Sequence, residues 1–327
     1  MAHMTNPLAT VDQLYQRTSF SALPSDLQDA IFFTTQCLTQ AAGVLLRIPQ
    51  SVTAQANVIL ARYWLVESPL AHEFSDTSAA ALFLVAKLSA HPCPPRDVCN
   101  VYAYLLSPSS VLFKSGSSDK GGGVEDKDKG DPSSYYLSES AYASFRARIL
   151  ALEARILYSL SFDTHVALPH PLAITYLQAL DFLDLPRAEI ARRVIAYLNT
   201  ALLSPQLLYL THQPHALAVA AIYAAARDAG AKMPACAWWE VFDVDREELG
   251  FLVVGMRSLE GWVRAQREGE DGVLSAKVNG MVTRAYVEGE MRKRGLRIGN
   301  GSAGDEMEDE EMALMRQMDE KAVQLEG

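Results

Sequence analysis

Two histidine pairs offer the first candidate chemistry. His212 and His215 stand in an HxxH spacing, which on one helix would aim two imidazoles at a common metal ion. Pro214 lies between them and interrupts the helix such a site needs, so no metal is expected there. His165 and His170 flank a chain turn. His91 with Cys93 and Cys99 is the nearest approach to a thiol–imidazole cluster, but Pro92, Pro94 and Pro95 make that stretch a turn and no second half-site follows. Cys37 and Cys236 are isolated, and without a CxxC pair the four cysteines read as small thiols of a reducing compartment. Asp243, Asp245, Glu247 and Glu248 open a helix, where carboxylates suit the positive end of the dipole. Gly121–Gly123 lacks the spacing of a phosphate-binding loop and no strand precedes it. GxSxG, HExxH and dinucleotide signatures are also missing. No catalytic residue, cofactor or metal is expected, and the chain reads as a non-enzyme.

The remaining chemistry is that of surfaces, which helices must present. Asp26–Leu46 follows Pro24, with Ser25 placed to cap it and Ile31, Ala41, Val44 and Leu45 placed to line one side. Val52–Val66 is the next helix. Asp76–Leu88 is apolar nearly all round and rich in alanine, the pattern of a central, closely surrounded helix. Beyond the proline turn, Arg96–Leu106 resumes the helical period. Ser138–Leu160 sets Phe145, Ile149, Leu152, Ile156 and Leu160 on one side. Pro169–Leu180, Ala188–Leu203, His215–Ala229, Trp238–Phe242 and Arg246–Arg267 continue an all-helical pattern. Residues 114–134, dominated by Gly, Ser, Asp and Lys and without an aromatic residue, cannot bury enough apolar surface to offset ordering and read as a surface insertion. From 294 a Gly-rich stretch leads into an acidic tail, which reads as a solvated charge run.

The 327 residues carry 29 basic against 39 acidic side chains, a net charge of −10. Binding to a nucleic-acid duplex draws on a basic footprint, so direct nucleic-acid binding is not expected. Nearly half the residues are apolar, enough for a sizeable core, yet no run reaches the roughly 18 residues that a membrane span takes. No secretory signal is visible at the N-terminus, which leaves cytosol or nucleus.

An internal repeat organises the helices. Ala81–Lys87 (ALFLVAK) lies over Ala221–Arg227 (AIYAAAR) at an offset of 140 residues, and at the same offset Pro94 meets Pro234, Val98 meets Trp238 and Tyr102 meets Phe242. Each copy is an alanine-rich helix ending in a basic residue, then a proline turn, then an amphipathic segment. Two similar helical bundles in tandem follow.

Such a double five-helix repeat resembles the cyclin box. Leu38–Gln50, Ala81–Lys87 and Arg96–Tyr102 are similar to the first box of the cyclin L family, with cyclins Q, K, T and C as near relatives. Leu152–Phe162 resembles the helix closing that box, and Pro169–Pro171 with Tyr176–Gln178 resembles the opening of the second. The resemblance implies an all-α chain divided into an N-terminal extension (1–24), a first box (25–165) holding the insertion, a second box (166–267) and an acidic C-terminal extension (268–327). It also implies a regulatory subunit that binds and activates a cyclin-dependent kinase, of PITSLRE type for cyclin L, in the nucleus, acting in RNA polymerase II transcription and pre-mRNA splicing, with splicing or transcription factors as further partners. In cyclins a Lys of the central helix and a Glu of the fifth hold the kinase's regulatory helix; the matching residues are Lys87 and Glu153, with Leu88, Leu157 and Phe162 as apolar contacts. Read without the family, Lys87 caps a helix C-terminus and Glu153 is an exposed helix residue. Ser89-Ala90 stand where the family carries an acidic pair, and the Arg/Ser-rich tail common in cyclin L is missing. The alternative is a kinase-independent double-box adaptor like transcription factor IIB; the acidic charge and the lack of a CxxC zinc ribbon speak against it.

Overall fold

The computed structural model describes residues 4–17, 23–107, 110, 136–180, 187–269, 272–274 and 281–296. The 114–134 insertion and the acidic tail after 296 lie outside those residues. A short α1 (Val11–Tyr15) precedes α2 (Ser25–Leu45), α3 (Gln50–Val66), α4 (Phe74–Leu88), α5 (Pro95–Leu105) and α6 (Glu139–Ser159). A second series comprises α7 (Pro169–Ala179), α8 (Arg187–Leu202), a single turn α9 (Leu208–Thr211), α10 (Pro214–Asp228), a 3-10 segment at Trp238–Phe242 and α11 (Arg246–Glu268). A last helix, α12, spans Arg284–Lys293. The described residues contain no strand.

The repeat in the sequence is a repeat in space. Both ends of α4 and α10 are 140 residues apart, and the 3-10 segment takes the place of α5. Every residue of α4 from Phe74 to Ala86 is buried, and α10 is buried over most of its length. Alanine and serine remove bulk on every side, so α2, α3, α5 and α6 all pack on α4 while α7, α8 and α11 pack on α10. α2 and α3 cross closely: a Cβ on Gly43 would lie 2.3 Å from Thr53 Oγ1. The bundles meet where Phe33 of α2 stands edge-on to Trp262 of α11 (ring centroids 5.4 Å apart). Gln50 of α3 and His170 of α7 converge on the side-chain oxygen of Asn199 in α8.

Three local expectations change. Pro24, not Ser25, occupies the cap position of α2, and Ser25 is the first helical residue; proline has no side-chain acceptor, so that end carries no side-chain cap. Val44 and Leu45 face solvent, because the buried stripe of α2 runs instead through Leu27, Ile31, Leu38 and Ala42. The stretch after 268 is not purely a charged extension. α12, capped by Thr283, folds back on the first bundle, where Val287 and Met291 are fully buried, Arg294 pairs with Asp26 at 2.8 Å and the Arg284 amide reaches Glu73. The N-terminal segment is attached as well: Asn6 is buried between the bundles and the Ala9 amide donates to the Leu210 carbonyl (2.7 Å). Composition signals neither, since both attach through a few residues whose partners lie 56 to 268 positions away.

No described helix is long and apolar enough to cross a membrane.

Candidate functional site

Lys87 and Glu153 are brought together. α4 is buried until its last turn, where Lys87 and Leu88 emerge; α6 packs along α4 and carries Glu153 at that end. Lys87 Nζ donates to Glu153 Oε1 at 2.9 Å. The partners are unequally buried: the lysine side chain is 58% exposed and the glutamate 8%. Glu153 is therefore not an exposed helix residue, and Lys87 does more than face a helix end. The ammonium also lies 5.9 Å from the centroid of the Phe83 ring one turn below. Arg227 repeats that contact over Tyr223, also at 5.9 Å, in the second bundle. There the acidic neighbour Asp228 pairs instead with Arg257 (2.8 Å) and accepts from the Tyr197 hydroxyl. The bundles thus share a scaffold and differ at this pair.

An apolar surround accompanies the ion pair. Leu88 is 60% exposed and Phe162 61%, while Leu157 is half-buried against the core. Tyr158, also exposed, meets Phe162 edge-on at 5.4 Å. Phe162 leaves α6 through an unusual turn, in which both Ser161 (φ 51°) and Phe162 (φ 61°) are left-handed. A non-glycine residue pays about 1 kcal/mol or more for that region, so two in succession persist only where neighbouring structure holds them. The Phe162 amide donates to the Leu157 carbonyl (2.8 Å) and fixes the start of the turn. The backbone thereby presents a large apolar ring to solvent just beyond the end of α6, the helix that carries Glu153. At the end of α4, the Ser89 hydroxyl donates to the Ala86 carbonyl and accepts the His91 amide, and so closes the helix.

The second α4–α6 ion pair escapes sequence reasoning. Arg148 Nε bonds Asp76 Oδ2 at 2.7 Å near the opposite end of α4, again with the acid buried and the cation exposed. Arg148 belongs to a groove of about 1010 Å³ along the other flank of α6, with Phe145 and Leu152 in its floor. The arginines there are tied to carboxylates: Arg148 to Asp76, Arg155 to Glu67 and Arg284 to Glu288. The other candidates stay apart. His212 stacks on Phe251 and bonds Thr211, while Pro214 begins α10. Burial pushes the Cys37 thiol up to about 12 and Cys99 to about 11, which disfavours thiolate chemistry at both. Asp245 caps α11 by accepting the Glu248 amide. Among the described residues no group of three or more His, Cys, Asp or Glu could hold a metal ion.

Solved structures share the fold. The chain superposes on one in the yeast RNA polymerase II CTD kinase CTDK-1 complex with a TM-score of 0.58, at 15% identity, covering 93% of this chain and 88% of that one. A chain of the CAK complex from Chaetomium thermophilum bound to ATP-γ-S gives 0.51, at 15% identity over 86% and 82%. At that identity the likeness is one of fold, and the fold is two tandem five-helix cyclin boxes. No family model matches the chain. Among curated proteins, a cyclin-L1-like protein of Schizosaccharomyces pombe is 32% identical over 213 residues, which cover 65% of this chain and 76% of the relative. Cyclin-L2 of Homo sapiens is 29% identical over 248 residues (75% and 43%), and cyclin-L1 of Gallus gallus 28% over 230 (70% and 39%). This chain belongs to the cyclin L family. It spans three-quarters of the fission-yeast relative and about two-fifths of the vertebrate ones.

Proposed function

We propose that this chain is the non-catalytic regulatory subunit of a cyclin-dependent kinase and engages it through the face centred on Lys87 and Glu153. The observation that carries the reading is the 2.9 Å ion pair at the junction of α4 and α6, with exposed Leu88 next to Lys87 in the chain and half-buried Leu157 and exposed Phe162 following Glu153 on α6 and the turn after it. An ammonium has three donors and a carboxylate several acceptor sites, so each partner keeps hydrogen-bonding capacity after pairing with the other. Lys87 would donate to main-chain carbonyls of the kinase's regulatory helix and the loop before it, and Glu153 would accept from amides there. The three apolar side chains would exclude water around them. Activation is then a population shift: the cyclin adds contacts that only the inward position of the kinase helix can make, which aligns the kinase's own Lys–Glu pair for phosphoryl transfer.

The boxes would run from 25 to 165 and from 166 to 267, flanked by the N-terminal segment (1–24) and the acidic C-terminal extension (268–327). Membership of the cyclin L family supports a PITSLRE-type kinase as partner, nuclear residence and a role in transcription and pre-mRNA splicing, with splicing or transcription factors as further partners. A pulldown with a PITSLRE-type kinase tests the reading. Lys87→Ala/Glu153→Ala should lose both kinase capture and kinase activation; capture and activity equal to wild type would remove this face from consideration.

A further inference from the structure

The connection between the bundles, residues 160–168, is held from beneath by the N-terminal segment. The side-chain amide of Asn6 pairs with the backbone of Ala167 in both directions: Nδ2 donates to the Ala167 carbonyl and Oδ1 accepts the Ala167 amide, each at 2.8 Å. The same Oδ1 accepts from Arg62 Nη2 (3.2 Å), and Arg62 Nη1 donates to the His165 carbonyl (2.7 Å). The Asn6 backbone is fixed in turn by Gln213, the cap residue just before α10, which accepts its amide and donates to its carbonyl, both at 3.0 Å. Asn6 and Arg62 are both buried. One asparagine therefore ties α3 of the first bundle, the connection and α10 of the second into a single network.

That network ends three to five residues after the left-handed pair Ser161–Phe162. The pair is anchored on its other side by α6, through the Phe162 amide and the Leu157 carbonyl. A strained turn held at both ends keeps one geometry, whereas a turn held at one end relaxes toward the preferred right-handed or extended regions. The geometry points to Asn6 as a positioning residue for the kinase-binding face: through Ala167, and with Arg62 through His165, it keeps the turn that aims Phe162 outward. The inference rests on the kinase-binding reading above and assigns that face a component far away in sequence. Asn6 touches no kinase in this account; it acts through Phe162.

The test is a double-mutant cycle on affinity for a PITSLRE-type kinase, with circular dichroism to establish that each variant is folded. Asn6→Ala should weaken binding roughly tenfold in the wild-type background and have little further effect in a Phe162→Ala background. Ser161→Gly, which makes the left-handed conformation accessible without the anchor, should restore much of the loss in Asn6→Ala. Where Asn6→Ala does not fold, Asn6→Asp takes its place: it keeps the acceptor for Ala167 and Arg62 and removes one donated bond. Equal losses in both backgrounds, or no loss in folded Asn6→Ala, would overturn the positioning role. If Asn6→Ala is silent while Lys87→Ala/Glu153→Ala abolishes binding, only this inference fails; if the latter pair also binds normally, the kinase-binding reading fails with it.

Discussion

The unequal burial of Lys87 and Glu153 makes their separate removal informative. Lys87→Ala leaves a carboxylate that is 8% exposed without its ammonium, whereas Glu153→Gln leaves an ammonium that is 58% exposed and can return to water. An uncompensated buried polar group costs about 1–3 kcal/mol and an exposed ion pair contributes about 0–1 kcal/mol. Shortening Lys87 also admits some water to Glu153, which favours the lower part of the first range. We therefore expect Lys87→Ala to lower stability by about 1–2 kcal/mol, a fall in Tm of roughly 2–8 °C for a fold of this size, and Glu153→Gln by about 1 kcal/mol or less. Arg148→Ala is the internal control, because it strands Asp76, 10% exposed, at the other end of the same helix pair. It should cost the fold as much as Lys87→Ala and leave kinase capture unchanged. Kinase affinity should fall with either change at the pair, by about 2–5 kcal/mol, since one member would be buried unpaired in the complex. Lys87→Met/Glu153→Leu should recover stability without recovering binding. Thermal unfolding and a kinase titration on the same preparations supply both numbers. The reasoning is refuted if Glu153→Gln destabilises as much as Lys87→Ala, or if Arg148→Ala releases the kinase.

Other outcomes follow from single contacts. Gly43→Ala should cost about 1–3 kcal/mol in urea unfolding, because its methyl would collide with Thr53, and Gly43→Ala/Thr53→Ala should regain part of that. Burial pushes the Asp29 carboxyl up to about 6 despite the pull of nearby Arg17, with Asp26 adding to the rise. A folded-state value above the unfolded one means a contribution present near pH 4 and lost as pH rises through 6, so Asp29→Asn should be more stable than wild type at pH 8 and nearly equal to it at pH 4; a constant difference across that range would contradict the assignment. Met291→Ala should cost about 2–5 kcal/mol if α12 is part of the cooperative core, and an unchanged urea midpoint would mean that it is not.

The helices and their doubling are legible in the sequence because they rest on short-range information. The alanine-rich runs at 81–87 and 221–227 announce two central helices, and prolines 94 and 234 mark the turns after them. Lys87 and Glu153 are legible only through resemblance. Their spacing of 66 positions carries no helical period, and nothing in composition separates Glu153 from the neighbouring acids of the chain. The Asp76–Arg148 pair, 72 positions apart and lacking such a resemblance, stays hidden for the same reason. Val44 and Leu45 show the limit of periodicity itself: an apolar side chain that matches a helical stripe is buried only where a neighbour arrives to cover it, and among the described residues these two stay exposed.

By itself the sequence determined an all-helical chain, two copies of one unit and the position of its buried helices, since 3.6-residue patterning and proline turns act within a few residues. Tertiary structure alone decided that Glu153 is buried while Lys87 is not, that α12 returns to the first bundle, and that Asn6 grips Ala167 across 161 positions. Those contacts depend on the packing of whole helices: they come into being only when the bundles close and water is driven from between them, and the residues that make them look ordinary until then.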